Sequence, residues 1–148
     1  MEKTILCVSD PREDVVVGDV IENLLYPEPR LFFKTDYRDS LEEAKRFLDS
    51  TKVDGVYIYD LQIPTGRGSI NYNYVELGEH ELSFRANAAG LELIDYCRKK
   101  GLPIVAGSAV GIERIEKMAR RLGNLDAIIH FPLDMKNLRK QFIEKFAL

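Results

Sequence analysis

Two aspartates occupy positions where acidic side chains can do chemistry, because each one comes at the end of a strand-like apolar run. Asp10 follows the run at residues 4–8, and Asp60 ends the run at residues 53–59. If these runs form neighbouring parallel strands, the two carboxylates meet at one edge of a sheet and repel each other unless Mg²⁺ or a bound proton compensates. The alternative is that Asp10 caps the following helix and Asp60 ends its strand in a polar loop. Position alone leaves both interpretations open.

The elements that must position these acids alternate along the chain as strand-like and helix-like segments. Short apolar runs predict five strands, at residues 4–8, 31–33, 53–59, 102–106 and 127–129. Apolar residues at helical spacing predict five helices, at residues 17–25, 41–48, 91–100, 112–122 and 135–146. Ser40 with Glu43 forms a predicted capping box, Asp134 is a predicted N-cap, and Gly101 is predicted to end the third helix.

This alternation predicts an α/β domain with one parallel sheet in the order 2-1-3-4-5. Parallel strands need crossover connections, and right-handed crossovers place helices on both faces of the sheet. In such a sheet a ligand binds beyond the carboxyl ends of the strands, between the first and the third strand. Asp10 and Asp60 fall at that point. The order of the elements and the positions of the acids therefore indicate the same edge.

Composition limits the classes of protein to which this chain can belong. Its 148 residues are 45% hydrophobic, which suits a single domain over residues 1–148 with a sizeable core. A net charge of -3, with acids and bases interspersed, predicts no direct nucleic-acid partner. No stretch approaches the roughly 20 apolar residues of a membrane span, so we expect no membrane partner and a cytoplasmic location. Cys7 and Cys97 lack the number and spacing of a disulfide or zinc framework and are predicted to be buried thiols.

Five segments follow one another in order and at a regular spacing, at residues 5–10, 59–64, 90–94, 102–109 and 129–133. Together they resemble the response-regulator receiver (CheY-like) domain. They resemble, in turn, the strand with paired acids, the phosphoacceptor strand with its proline, the start of the third helix, the strand with the switch hydroxyl and the end of the last strand. The resemblance covers nearly the whole chain and implies a flavodoxin-like (βα)5 three-layer sandwich.

The resemblance implies roles for four residues. Asp60 would be the phosphoacceptor and the Ser108 hydroxyl would bond the phosphoryl group, while Asp10, Asp60 and the backbone carbonyl of Gln62 would bind Mg²⁺. The protein would be a stand-alone, non-enzymatic response regulator of a two-component phosphorelay, a phosphoprotein of signal transduction. Its phosphoryl group would come from a histidine kinase or phosphotransfer protein. It would act on a further protein target and exist as a monomer or weak dimer.

Two positions depart from the receiver pattern. Ser9 replaces the first of the paired acids, which removes one negative charge and predicts weakened Mg²⁺ binding. Phe131 stands where the family has a lysine that pairs with the acceptor, and strand alternation is expected to turn the neighbouring His130 to the opposite face. These substitutions favour an alternative, a pseudoreceiver that binds partners without phosphoryl transfer. A small phosphohydrolase on the same fold is a third and less favoured interpretation.

An insertion at residues 66–89 is a third departure, because receivers pass more directly from the phosphoacceptor strand to the third helix. Its alternating aromatic and polar residues predict a loop or β-hairpin, and so many aromatic residues indicate a functional loop. Rooted just after Pro64, it is expected to lie beside the Asp60 pocket. Arg67 is a candidate for the positive charge that Phe131 cannot supply. The residues expected to pack near Phe131 as a partial lid are Tyr72, Tyr74, Leu82 and Phe84.

Overall fold

The computed structural model describes residues 2–66, 88–108, 128–130 and 134–148. The predicted helix near residues 112–122 and residues 67–87 of the predicted insertion lie outside these ranges. Among the helices described, none combines the length and the apolar character needed to cross a membrane. The elements are β1 Lys3–Val8, a 3₁₀ turn Pro11–Glu13, α1 Asp14–Leu25, β2 Phe33–Arg38, α2 Leu41–Ser50, β3 Gly55–Ile58, α3 Ala88–Lys99, β4 Ile104–Ser108, β5 Ile128–His130 and α4 Met135–Phe146.

The five strands form one parallel sheet in the order β2-β1-β3-β4-β5, which confirms the predicted topology. The predicted second strand was placed too early, since pairing with β1 begins at Phe33, opposite Lys3, and continues to Arg38. The missed residues are largely polar because β2 lies at the edge of the sheet and is only half buried. A search for apolar runs therefore finds its first residue and misses the remainder.

Successive side chains of β1 point to opposite faces of the sheet and so define two cores. Ile5 and Cys7 pack with residues of α1 and α4, whereas Leu6 and Val8 pack with residues of α2 and α3. Cys97 of α3 belongs to the second core. Both thiols are free and buried, as predicted, and burial raises the pKa of each, that of Cys97 to about 12. The result is a three-layer arrangement with the sheet in the middle.

The predicted helix ends are confirmed where local hydrogen bonds define them. The Ser40 hydroxyl accepts a bond from the backbone N–H of Glu43 at 3.2 Å, which starts α2. The Asp134 carboxylate accepts bonds from the backbone N–H groups of Lys136 and Asn137 at the start of α4. Gly101, with φ of +73°, ends the turn after α3 in the left-handed region.

The first turn of α3 lies directly against the loop that follows β3. The backbone N–H of Gly90 donates to the carbonyl of Leu61 at 3.1 Å. A Cβ atom at position 90 would lie 2.4 Å from that carbonyl oxygen and 2.5 Å from the Leu61 Cα, so only glycine allows this approach. Since Leu61 is the residue after Asp60, the position of α3 is tied to the carboxyl edge of β3.

Gly90→Ala is expected to lower the free energy of unfolding by about 2–3 kcal/mol, because the new methyl group meets backbone atoms that cannot rotate away. Gly18→Ala is the matched control, since a Cβ at position 18 of α1 meets no atom within 4 Å. That change should raise the free energy of unfolding by about 0.5–1 kcal/mol. Urea unfolding of both variants measures the difference, and a neutral Gly90→Ala would contradict the close approach.

Candidate functional site

The pairing register of the parallel strands determines which residues lie at the edge of the sheet that carries the candidate site. Val8 of β1 pairs with Ile58 of β3, and Ile58 pairs with Ala106 of β4. Because all strands run in the same direction, residues that follow this row by the same number of positions reach the same edge of the sheet. The residues two positions beyond the row are Asp10, Asp60 and Ser108.

Asp60 is a buried acid held by the backbone around it. It is 8% exposed, and its Oδ1 accepts a hydrogen bond from the backbone N–H of Gln62 at 3.2 Å. The following residue, Leu61, donates its N–H to the carbonyl of Gly107 at 2.9 Å, and the carbonyl of Pro64 accepts from the N–H of Leu41 at 2.9 Å. The loop after β3 is therefore fixed between β4 and α2, which leaves the carboxylate little freedom to turn away.

Asp10 is also buried, at 4% exposed, and it caps the 3₁₀ turn that precedes α1. Its Oδ1 accepts from the backbone N–H of Arg12 at 3.0 Å. The guanidinium of Arg12 also lies on this carboxylate, with Nη2 2.6 Å from Oδ2 and Nε 3.1 Å from both oxygens. The capping interpretation and the site interpretation are thus compatible, because Asp10 caps a turn while standing at the carboxyl edge.

Glu13 is a third acid near this edge that the sequence interpretation missed. Burial, together with the negative charges of Asp60 and Asp10, raises the pKa of Glu13 to about 7, and Arg12 partly opposes this rise. The pKa of Tyr59 is raised as well, by burial and by the charges of Glu13 and Asp60. The 3₁₀ turn brings Arg12 and Glu13 to the site, and the proline that starts this turn, two residues before Glu13, was the available signal.

The remaining predicted site residues have different positions. Ser9 is buried and its backbone N–H donates to the carbonyl of Arg38 at 3.2 Å, and Gln62 is half-buried. Ser108 ends β4 and pairs with His130 of β5, while the direction expected for the His130 side chain stays a prediction. The residues outside the described ranges, whose roles stay predictions, are Arg67, Tyr72, Tyr74, Leu82, Phe84 and Phe131.

The donor atoms at this edge suit a hard cation. Mg²⁺ is usually bound by one or two carboxylates and keeps several waters. Asp10, Asp60 and the backbone carbonyl of Gln62 offer oxygen donors of that kind. Within the described ranges no group of three or more acidic, histidine or cysteine side chains is placed to hold a metal ion. The donor set fits Mg²⁺, with Arg12 already in contact with one of its carboxylates.

A cavity of about 350 Å³ opens at the carboxyl end of β2. Its lining combines acidic groups with a tyrosine and an arginine, and of these the sequence interpretation singled out only Glu43, as part of the capping box of α2. Burial is the main reason that the pKa of Tyr37 is raised. The cavity widens the polar face of the domain next to the 3₁₀ turn. Its lining residues are Asp14, Tyr37, Arg38, Asp39 and Glu43.

No protein-family model matches this sequence, and no curated protein matches it either. Solved structures do match, and they are consistently receiver domains. The receiver domain of the sensor histidine kinase PA1611 from Pseudomonas aeruginosa PAO1, with a magnesium ion coordinated in its active-site cleft, is 13% identical. Its TM-score is 0.64, and all of both chains is covered.

Two further structures give the same result. The signal receiver domain of an HD domain-containing protein from Pseudomonas fluorescens Pf-5 has a TM-score of 0.66 at 15% identity, over 99% of this chain and 96% of that one. A receiver domain of a Francisella response regulator has a TM-score of 0.63 at 14% identity, over 99% and 98%. The protein therefore has the fold of a response-regulator receiver domain, and the resemblance seen in the sequence is confirmed as a likeness of fold.

Glu13→Gln should change how stability depends on pH. Glu13 binds its proton more tightly in the folded chain than in the unfolded chain, so its contribution to stability is lost as pH rises from about 4.5 through about 7. Glutamine imitates the protonated form at every pH. The variant should match the natural protein near pH 4.5 and become progressively more stable than it up to about pH 7.

Urea unfolding across this range, with a metal chelator present, gives the difference in the free energy of unfolding. Glu22→Gln, which removes a carboxylate from an exposed position of α1, is the control for a general loss of negative charge. A difference between Glu13→Gln and the natural protein that stays flat or shrinks as pH rises would contradict the environment described for Glu13.

Proposed function

We propose that this protein is a receiver of two-component signal transduction that accepts a phosphoryl group on Asp60. The observation that supports this most directly is that Asp60 and Asp10 lie at the carboxyl edge of adjacent strands in a receiver fold. The donor would be a histidine kinase or phosphotransfer protein. One of the similar structures is itself the receiver domain of a sensor histidine kinase.

The proposed reaction needs a carboxylate oxygen that can reach phosphorus in line with the leaving group. An oxygen of Asp60 attacks the phosphorus of a phosphohistidine, the new O–P bond forms as the P–N bond breaks, and the released imidazole takes up a proton. Hydrogen bonding from the Gln62 N–H to Oδ1 orients the carboxylate. Burial around Asp60 excludes water, which slows the competing hydrolysis of the acyl phosphate.

Asp10, Asp60 and the Gln62 carbonyl are the groups proposed to hold Mg²⁺. When bound, this ion would neutralise charge that develops on the phosphoryl oxygens. Ser108 stands two positions beyond the same row of paired residues and is proposed to bond a phosphoryl oxygen. The bond between Ser108 and the phosphoryl group would change the region after β4, and this change would alter the binding of a protein target.

A pseudoreceiver is the second candidate, and one observation favours it. The Arg12 guanidinium already satisfies both oxygens of Asp10, so the site carries a positive charge without a bound ion. Such a site can hold the fold and its partner surface in one state with no phosphoryl transfer. The two candidates differ in whether Asp60 is ever phosphorylated, and this can be measured directly.

The natural protein, incubated with acetyl phosphate and Mg²⁺, is expected to gain the mass of one phosphoryl group. The modification should be removed by hydroxylamine, as an acyl phosphate is, and should be absent from Asp60→Asn. Asp95→Asn is the matched control, because that carboxylate lies on α3 in an exposed ion pair with Lys99. Intact-protein mass spectrometry reports all three results.

Loss of labelling in Asp60→Asn with normal labelling of Asp95→Asn is the expected pattern. Absence of labelling in the natural protein, under conditions where a known receiver is labelled, would reject the phosphoacceptor proposal and leave the pseudoreceiver. Labelling that persists in Asp60→Asn would place the modified residue elsewhere.

A further inference from the structure

The Arg12 side chain lies on the acid that the proposed function assigns to Mg²⁺. Its guanidinium contacts both carboxylate oxygens of Asp10, and the shortest contact, from Nη2 to Oδ2, is 2.6 Å. The two partners differ in their surroundings. The Asp10 side chain is 5% exposed, whereas that of Arg12 is 77% exposed. A buried carboxylate is therefore covered by a cation that has solvent on its other side.

Because of the local backbone geometry, this contact forms with little loss of conformational entropy. Asp10 has an extended conformation, and Pro11 then fixes the start of the 3₁₀ turn. The turn points the backbone N–H of Arg12 at Asp10 Oδ1, and the side chain folds back over the same carboxylate. Because the partners are only two positions apart along the chain, little chain entropy is lost when they meet.

We infer that Arg12 is a built-in cation that holds the place of Mg²⁺ on Asp10, so the domain binds Mg²⁺ only when the guanidinium is released. This inference rests on the proposed function, because it takes Asp10 as a ligand of the ion. Both cations would use the Asp10 carboxylate, and Mg²⁺ would need close contact with its oxygen donors. A guanidinium that remained at hydrogen-bonding distance from these oxygens would compete with the ion for them and would repel it.

The exposure of Arg12 is what makes the exchange possible. A guanidinium on a flexible chain, already mostly in solvent, can move away without opening the core. The buried acids cannot move in the same way, because strand pairing and the loop after β3 hold them. Mg²⁺ therefore binds the fraction of molecules in which Arg12 is released, and the apparent affinity is reduced by that fraction.

Removal of the guanidinium should therefore tighten Mg²⁺ binding. Arg12→Ala keeps the backbone N–H that bonds Asp10 and deletes only the competing cation. We expect the dissociation constant for Mg²⁺ to fall about two- to fivefold, the range for loss of an ion pair whose cation is exposed. Arg12→Lys should fall between the two, because an ammonium keeps the charge and loses the bidentate geometry.

Isothermal titration with Mg²⁺ alone, on the purified full chain, is the measurement. Arg46→Ala is the matched control, since Arg46 forms an exposed ion pair with Glu43 at 2.7 Å on α2. Its Mg²⁺ affinity should equal that of the natural protein. Equal or weaker binding by Arg12→Ala, or no binding by any of these proteins, would overturn the inference.

Two further readouts keep the test valid if Arg12→Ala folds poorly. Without Mg²⁺ the variant lacks the guanidinium on Asp10, which lies near Asp60 and Glu13, so its Tm should be lower and should rise more on addition of Mg²⁺ than that of the natural protein. In the natural protein, the NMR signal of the Arg12 Nε–H should shift as Mg²⁺ is added, with the same midpoint as the calorimetric titration. An Nε–H signal that stays constant through Mg²⁺ saturation would also overturn the inference.

The inference and the proposed function fail in different ways. If the natural protein binds Mg²⁺ more weakly than Arg12→Ala but is never labelled by acetyl phosphate, the inference stands and the phosphoacceptor proposal is rejected. If the natural protein and Arg12→Ala are both labelled on Asp60 and bind Mg²⁺ with the same affinity, the proposed function stands and the inference is rejected.

Discussion

The parallel register between β1 and β3 is the constraint on which the site depends. With Val8 opposite Ile58, the two strands end at one height, and the acids two residues further on lie at the same edge. A shift of one residue in this pairing would move each side chain to the other face and separate the acids. The register is maintained by burial on both faces, because Ile5 and Cys7 fill one core while Leu6 and Val8 fill the other.

Concentration of negative charge is the consequence of that register. Asp10 and Asp60 are almost completely buried, and Glu13 stands close enough for both to raise its pKa. Three acids in a poorly solvated region cost free energy unless a proton or a cation compensates. This chain uses both means, with an arginine on Asp10 and a carboxyl at Glu13 that holds its proton more strongly than usual. Ser9, next to Asp10, is uncharged and therefore adds no further negative charge to this region.

The sequence predicted the features that depend on local patterns. The order of five parallel strands, the caps at Ser40 and Asp134 and the end of the third helix at Gly101 follow from hydrophobic runs and short-range hydrogen bonds. It also indicated the edge where the acids stand, since strand order and the positions of Asp10 and Asp60 agree. The start of β2 was misplaced because an edge strand carries polar residues that no apolar run can mark.

Arg12 and Glu13 were missed for a different reason. Their importance comes from the path of one 3₁₀ turn, which folds a side chain back over a residue two positions earlier. Neither hydrophobic periodicity nor a family motif records that path, and charged residues beside a proline are common at the surface. Only the position of the buried carboxylates shows that these two side chains lie against acids that cannot move away.

The close backbone contact between Gly90 and Leu61 has an evolutionary consequence. The chain leaves this region at Thr65, whose carbonyl accepts the N–H of Glu42, and the Gly90 N–H returns to the carbonyl of Leu61. Both ends of the intervening segment are thus anchored to backbone that belongs to the sheet and its helices. Loop-closure entropy rises only by about 0.6 kcal/mol for each doubling of length. Segments of different length could therefore be exchanged between these two anchors without loss of the backbone hydrogen bonds around Asp60.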